Sequence, residues 1–508
     1  MGSPYSDLNR AEEEKFARRE NDWRVGPVVY QVLVDRFAEP ADLAGRRRFY
    51  PQPRKLKPWS ELPAAGAYLP EYHVYSQELE FWGGTLQGLR AKLDYIEQLG
   101  VDVLYLNPIH SAFTNHKYDA SDYLAVSPEY GTLEDLDGLV ADVHRRGMRI
   151  VLDGVFNHMG RRSPIFQEAA SNPGSPYRAW FDFSAEYSQG VRLWQNARNL
   201  PELNFENPAV RDFIYAGRDS VVRSFLRRGI DGWRLDTAFE LGFEVLSELT
   251  ECAHREKPGS LTVGEIVNYP GDWFPAADGV MNFMLREIIL HTTSGKIDPA
   301  AANGFIAHMA ADCGVEPLLK SWTFLDNHDV PRLATYLPDP HARRAAQVLQ
   351  FTLPGSPNLY YGVELGMQGG ADPAQRAPMR WDLVSDDNED YRWTKQLIRL
   401  RRDFRALRVG DYRPVLSQKL VAFERFTNRA GDALVVLANP TGLPVEETVL
   451  VPDSLLMDAT RMVDLLGSGL EFNFYTPAFE VAVPPRTALV LSPQTGPVDG
   501  YTSYKRVP

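Results

Sequence analysis

Up to about residue 400, short runs of β-branched and aliphatic residues alternate with stretches whose apolar positions recur at helical spacing. The first run, VVYQVLVDRF (28–37), is followed by an irregular insert containing proline and arginine, then by TLQGLRAKLDYIEQLG (85–100). There Leu86, Leu89, Leu93 and Ile96 share one helical face, and Gly100 supplies a stop. VDVLYLNPI (101–109) reads as a buried strand bounded by proline. TLEDLDGLVADVHRRG (132–147) repeats the helix-then-glycine design, and MRIVLDGVFNH (148–158) is the next strand. Further strands are predicted at 230–238, 261–266, 277–283, 321–329 and 357–366, with helices between most of them, one spanning 208–229. Strands that are apolar at nearly every position fit a parallel sheet covered by helices on both faces. Eight such units before residue 409 suit an α/β fold of the (β/α)8 TIM-barrel type, with insertions, better than a doubly wound sheet.

Two stretches break this rhythm. Residues 159–205 are rich in Pro, Gly and Asn and follow the third strand, so they are expected to form an inserted subdomain. From about 409 the pattern becomes short alternating runs at 419–427, 433–440, 459–466, 479–485 and 487–493, the texture of an antiparallel β-sandwich. The expected organisation is a lead over 1–23, a barrel over 24–408, a sandwich over 409–496 and a loose tail over 497–508.

Composition narrows the partners. The chain of 508 residues carries 67 acidic and 54 basic side chains, a formal charge of −13. That balance argues against nucleic acid, which asks for a concentrated basic face. No apolar run approaches the ~20 residues of a membrane helix. Cys252 and Cys313 are too few for a disulfide framework, and reduced thiols are expected. The first residues show no apolar leader, which is the reading behind a cytoplasmic expectation. The aromatic content of 11% fits core packing and also a cleft with platforms for sugar rings.

The chemistry is expected where barrel strands end, because barrel enzymes build their sites on the C-terminal strand tips. Asp153, Asn157 and His158 fall at the end of the third strand, Arg234 and Asp236 at the fourth, Glu265 at the fifth, and His328 and Asp329 at the seventh. A single ionisable residue at a strand tip is often a loop cap. Four strands converging on one mouth are not explained that way, and carboxylates gathered there match glycoside chemistry, in which one attacks and another moves a proton.

These residues stand in recognisable strings: DGVFNH (153–158), GWRLD (232–236), GEI (264–266) and FLDNHD (324–329), supported by FWGG (81–84), LNPI (106–109), HKYDASDY (116–123), LPELN (200–204), YYGVELG (360–366) and DPAQRAPMRW (372–381). In this order they resemble the α-amylase family of retaining glycoside hydrolases, nearest to its cyclomaltodextrinase, neopullulanase and maltogenic amylase group. The resemblance implies Asp236 as nucleophile, Glu265 as general acid/base and Asp329 as the third carboxylate, with Arg234 favouring the Asp236 anion. It implies that His158 and His328 bond hydroxyls of the sugar being cleaved, that Tyr118 stacks on it, and that Asp372 and Arg376 line the same subsite. Asp153 and Asn157 are expected to hold the strand-tip loops. The implied activity is hydrolysis of α-glucosidic bonds, mainly α-1,4, in malto-oligosaccharides, cyclodextrins or related α-glucans. A transglycosylase would use the same residues, and a non-catalytic glucan-binding barrel is the rival from another class.

The chain departs from that group in several places. Only about 25 residues precede the first strand, too few for the group's N-terminal sandwich, so its dimer mode does not carry over and the oligomeric state stays open. The loop after the first strand (35–55) is rich in cations where relatives often bind calcium, so no metal is expected there and no cofactor is implied. Phe239, which Glu240 follows, the run Ile266, Val267 and Asn268, Val363 and Glu202 differ from the group's common residues at positions tied to specificity.

Overall fold

The computed structural model describes residues 4–507, so residues 1–3 of the lead and Pro508 of the tail lie outside it. Eight parallel strands close a barrel: β1 (Val29–Val32), β2 (Val103–Leu106), β3 (Arg149–Gly154), β4 (Gly232–Leu235), β5 (Leu261–Ile266), β6 (Gly279–Asn282), β7 (Trp322–Thr323) and β8 (Ser356–Tyr360). Neighbours pair in chain order, and β8 returns to β1 with Val29 opposite Asn358. The mainly apolar runs have a direct cause. Alternate side chains such as Val29, Val103, Tyr105, Val151, Val263 and Met281 fill the barrel interior. Their neighbours, among them Tyr30, Leu104, Ile150, Leu152 and Trp233, pack outward on the helical shell.

The helices mostly follow their sequence signals. Leu133–Arg145 opens on a capping box between Thr132 and Asp135. Gly100 stops its helix in the left-handed region at φ 94°. Two expected helices are broken. The stretch 85–100 forms Leu86–Arg90 and Leu93–Leu99. The stretch 208–229 is a short helix, Pro208–Arg211, a wide turn over Asp212–Ala216, and a second helix, Val221–Arg227. Gly217 marks that break, where a Cβ would lie 2.5 Å from the Asp212 carbonyl oxygen.

After β3 the inserted region is irregular, as its composition predicts. It holds the helix Pro164–Ser171 and isolated bridges pairing Phe183 with Val191, Leu193 with Pro201, and His158 with Glu202. Beyond the barrel lie β9 (Asp411–Pro414), β10 (Val421–Phe426), β11 (Leu434–Asn439), β12 (Val445–Leu450), β13 (Thr460–Asp464), β14 (Glu471–Phe474), β15 (Ala478–Val483) and β16 (Thr487–Pro493). They form a six-stranded sheet, β9-β10-β11-β16-β13-β14, and the pair β12-β15. Val435, Leu437, Val449, Met462, Val481 and Leu491 are part of the core between them. The opposite face of the large sheet, including Val436, Ala438 and Val490, joins the core of the barrel's helical shell.

Both ends of the described chain are fastened. The helix Pro4–Asn21 buries Phe16 against Val25, Leu319 and Val409. The tail, expected to be loose, is pinned by Tyr504, whose hydroxyl bonds Thr460 and accepts from the Met457 N–H at 2.9 Å. Both cysteines are free, with Cys252 buried. Among the described residues no helix is long and apolar enough to cross a membrane.

Candidate active site

Strands β3, β4 and β5 bring their tips together around one guanidinium. Gly232 permits the close approach, since a Cβ there would lie 2.3 Å from the Leu261 carbonyl oxygen. Arg234, wholly buried, donates from Nη1 to Asp153 (2.7 Å) and Asp236 (2.8 Å), while Nη2 lies 2.8 Å from Glu265 Oε1. Asp236 and Glu265 therefore sit at the two ends of one planar fork. The next residue, Thr237, is held in the left-handed region at φ 44°, a costly conformation for a β-branched residue, and its N–H donates to Glu265 Oε2 at 2.9 Å. Asp153, expected to be structural, accepts from Arg234, Tyr105 (2.6 Å) and Tyr118 (3.0 Å).

The electrostatics differ from the expectation in one respect. Arg234 does pair with Asp236, but burial pushes the Asp236 carboxyl well above the usual range. The Glu265, Asp153 and Asp329 charges add to that rise, and only Arg234 opposes it. Burial likewise raises Asp153 and Asp329. A single guanidinium does not neutralise the carboxylates gathered about it.

Across the mouth, Asp329 Oδ2 lies 3.0 Å from His328 Nε2 and Oδ1 lies 3.4 Å from Arg376 Nη2. Arg376 also donates to the His328 carbonyl (2.8 Å) and pairs with Asp372 (3.0 Å). Burial holds His328 well below its ordinary pKa, so the ring is neutral. Its Nδ1 receives the Gln31 amide at 2.9 Å, which assigns the proton to Nε2, facing Asp329 and the Tyr118 hydroxyl. The Tyr118 and His328 rings are near parallel with centroids 5.3 Å apart. His158 is pushed down to about 4 by burial. Both its ring nitrogens are enclosed and without a protein partner among the described residues. An enclosed imidazole in that condition is short of hydrogen bonds that a hydroxylated ligand would supply.

All nine sequence-predicted site residues meet here. Asp236, Glu265, Asp329, Tyr118, His158, Asp372 and Arg376 line a cleft of about 520 Å³, while Arg234 lies beneath it and His328 backs its wall. Glu78, His116, Trp194 and Phe283 also line it and were not singled out by sequence. His116 had a signal, standing two residues before Tyr118 in the same string; its Nδ1 accepts the Tyr118 N–H at 3.1 Å. Glu78 and Trp194 come from irregular segments with no periodicity to mark them.

The departures also find places. Glu240 accepts from Trp194 Nε1 at 3.0 Å, and Phe239 packs over Trp273 with centroids 5.2 Å apart. Val267 lines the cleft. Next to Val363, Glu364 is fully buried and accepts from the Tyr30 and Tyr95 hydroxyls at 2.6 Å. Glu202 pairs with Arg192 at 2.7 Å. In the loop after β1, Asp35 is taken up by the Trp82 and Gly83 N–H groups (3.0 Å each) and by Arg36 (2.7 Å).

A closed parallel barrel with a carboxylate cluster at its C-terminal mouth is the frame of a barrel hydrolase. The chain belongs to the α-amylase family: the family described as "Alpha amylase, catalytic domain" matches residues 31–424. Neopullulanase 2 of Thermoactinomyces vulgaris is 32% identical over 445 residues, covering 85% of this chain and 72% of that protein. A cyclomaltodextrinase of a Bacillus species is 31% identical over 408 residues, covering 78% and 69%. Among solved structures, the ligand-free cyclic α-maltosyl-(1→6)-maltose hydrolase of Arthrobacter globiformis superposes with a TM-score of 0.76 at 28% identity, covering 93% of this chain and 100% of that one.

Proposed function

We propose that the protein is a retaining glycoside hydrolase that cleaves α-glucosidic bonds, mainly α-1,4, in malto-oligosaccharides, cyclodextrins or related α-glucans. The observation that carries this reading is the fork of Arg234, which sets Asp236 and Glu265 side by side at 2.8 Å from its two nitrogens. That placement is compatible with the roughly 5–5.5 Å carboxyl separation of double displacement. Asp236 attacks the anomeric carbon while Glu265 gives its proton to the departing oxygen, and a covalent glycosyl-enzyme forms. Glu265 then takes a proton from water, whose oxygen displaces Asp236 and releases the sugar with α configuration. Asp329 holds hydroxyls of the ring as it flattens, and neutral His158 and His328 donate to hydroxyls without adding charge.

The test is incubation with maltotriose, a cyclodextrin, pullulan and cyclic α-maltosyl-(1→6)-maltose, with products followed by chromatography and anomeric configuration by NMR. Shorter sugars released first as the α anomer are expected. Main products longer than the substrate would overturn hydrolysis in favour of glycosyl transfer, and β products would overturn the assigned mechanism.

A further inference from the structure

The insert between β1 and the first barrel helix delivers a carboxyl to the cleft that the reaction above does not use. Glu78 lies in the tight turn Ser76–Leu79, anchored by the buried Leu79. The Glu78 carbonyl accepts from the Asn115 N–H (2.8 Å), and Asn115 Nδ2 donates to the Gln77 (2.7 Å) and Glu80 (2.8 Å) carbonyls. Three hydrogen bonds thus fix the turn to the segment that carries His116 and Tyr118. The carboxyl is faced by His116 and Asp119 from the loop after β2, and by Asp372 and Arg376 from the loop after β8. The Arg376 guanidinium is already engaged by the His328 carbonyl, Asp329 and Asp372. Glu78 Oε2 is closed off from solvent and has no partner among the described residues. Leaving such a bond unmade costs free energy. A ligand hydroxyl would remove that cost.

The position within the cleft identifies the ligand group. Given the proposed function, on which this inference rests, the leaving group lies on the Glu265 side. Tyr118, His328, Asp372 and Arg376 then surround the sugar that becomes bound to the enzyme. Glu78 lines the same cleft as Tyr118, Asp372 and Arg376, within electrostatic reach of the last two. We propose that Glu78 is a substrate-binding residue that accepts hydroxyl hydrogen bonds from the glucose unit adjoining the cleaved one on its non-reducing side. The insert is then a determinant of which glucan ends the cleft accepts.

The carboxyl's own chemistry supplies a readout that a structural role would not move. Burial pushes Glu78 up to about 7; Asp119 and Asp372 add to the rise, and a backbone hydrogen bond and Arg376 oppose it. An ionised acceptor makes hydrogen bonds roughly twice as strong as a neutral one, so substrate binding strengthens as pH rises through neutrality. The experiment compares wild type, Glu78→Gln and Glu78→Asp on maltotriose and on α-glucosyl fluoride, which fills only the cleaved position, between pH 6 and 8. KM for maltotriose is expected to fall from pH 6 to 8 in the wild type and to lose that trend in Glu78→Gln. At pH 8, kcat/KM for maltotriose relative to the fluoride should drop about tenfold in Glu78→Gln, equivalent to about 1.4 kcal/mol. Glu78→Asp, shorter by one methylene, reports the same ratio should Glu78→Gln not fold. Equal losses on both substrates, or an unchanged ratio, would overturn the assignment. A wild-type protein inactive on both would instead remove the hydrolase reading beneath it.

Discussion

Arg234 is asked to serve Asp153, Asp236 and Glu265 at once, and two consequences are measurable at the scale of that residue. Removing the proposed nucleophile with Asp236→Asn should cut kcat on maltotriose by about 10⁴-fold or more, with the thermal midpoint little changed. Retained activity in that variant would place the nucleophile elsewhere. The second consequence concerns pH. Attack needs the Asp236 anion, and burial raises that carboxyl, so activity disappears on acidification earlier than for an ordinary carboxylate. The acid limb of kcat/KM should have its midpoint above about pH 4, the free value. Arg234→Gln, which deletes the one opposing charge, should move the limb further up while reducing activity. A limb at or below 4 in the wild type would contradict the raised Asp236.

At the scale of elements, the loop after β2 is held by a charge pair out of water. Lys117 adopts φ 67° and pairs with Glu129; the two side chains are 0% and 1% exposed. Glu129→Gln should destabilise the protein by about 3–5 kcal/mol in urea unfolding, because an uncompensated ammonium stays buried. Adding Lys117→Met should recover much of that loss, and no recovery would mean that the pair acts through shape instead. This loop carries His116 and Tyr118, and it shows where sequence reading succeeds and where it stops. The barrel strands were legible because both faces are buried and most positions are apolar. Asp236, Glu265 and Asp329 were legible because each interrupts or ends such a run. β9, β12 and β14 were not, since β9 is only half-buried and ends in Pro414, β12 buries only Val445 and Val449, and β14 only Phe474. Glu78 and Trp194 reach the cleft through hydrogen-bonded turns, and no spacing along the chain announces that. The long helix expected over 208–229 failed for a local reason, as Gly217 meets the Asp212 carbonyl.

At the scale of the whole molecule, barrel and sandwich share material. Arg425 of β10 reaches across to the barrel, donating to the Thr352 carbonyl (2.7 Å), and on its own side to those of Gly410 (2.9 Å) and Asp411 (3.2 Å). With Val436 and Val490 packed into the shell core as well, heating should give one calorimetric transition rather than two. Arg425→Met should lower the midpoint by leaving buried carbonyls unpaired. Two separated transitions in the wild type would show that the sandwich is an independent unit.

The seam of the barrel bears on synthesis as well as stability. Val29 finds its partner Asn358 only after nearly the whole barrel sequence has been made. Until then the edge of β1 that Asn358 covers has no partner, and any sheet formed on the ribosome stays open. Closure of so distant a pair is slow by its nature. Before residue 360 is made, that unpaired edge and the uncovered apolar lining are where the unfinished chain is most open to aggregation.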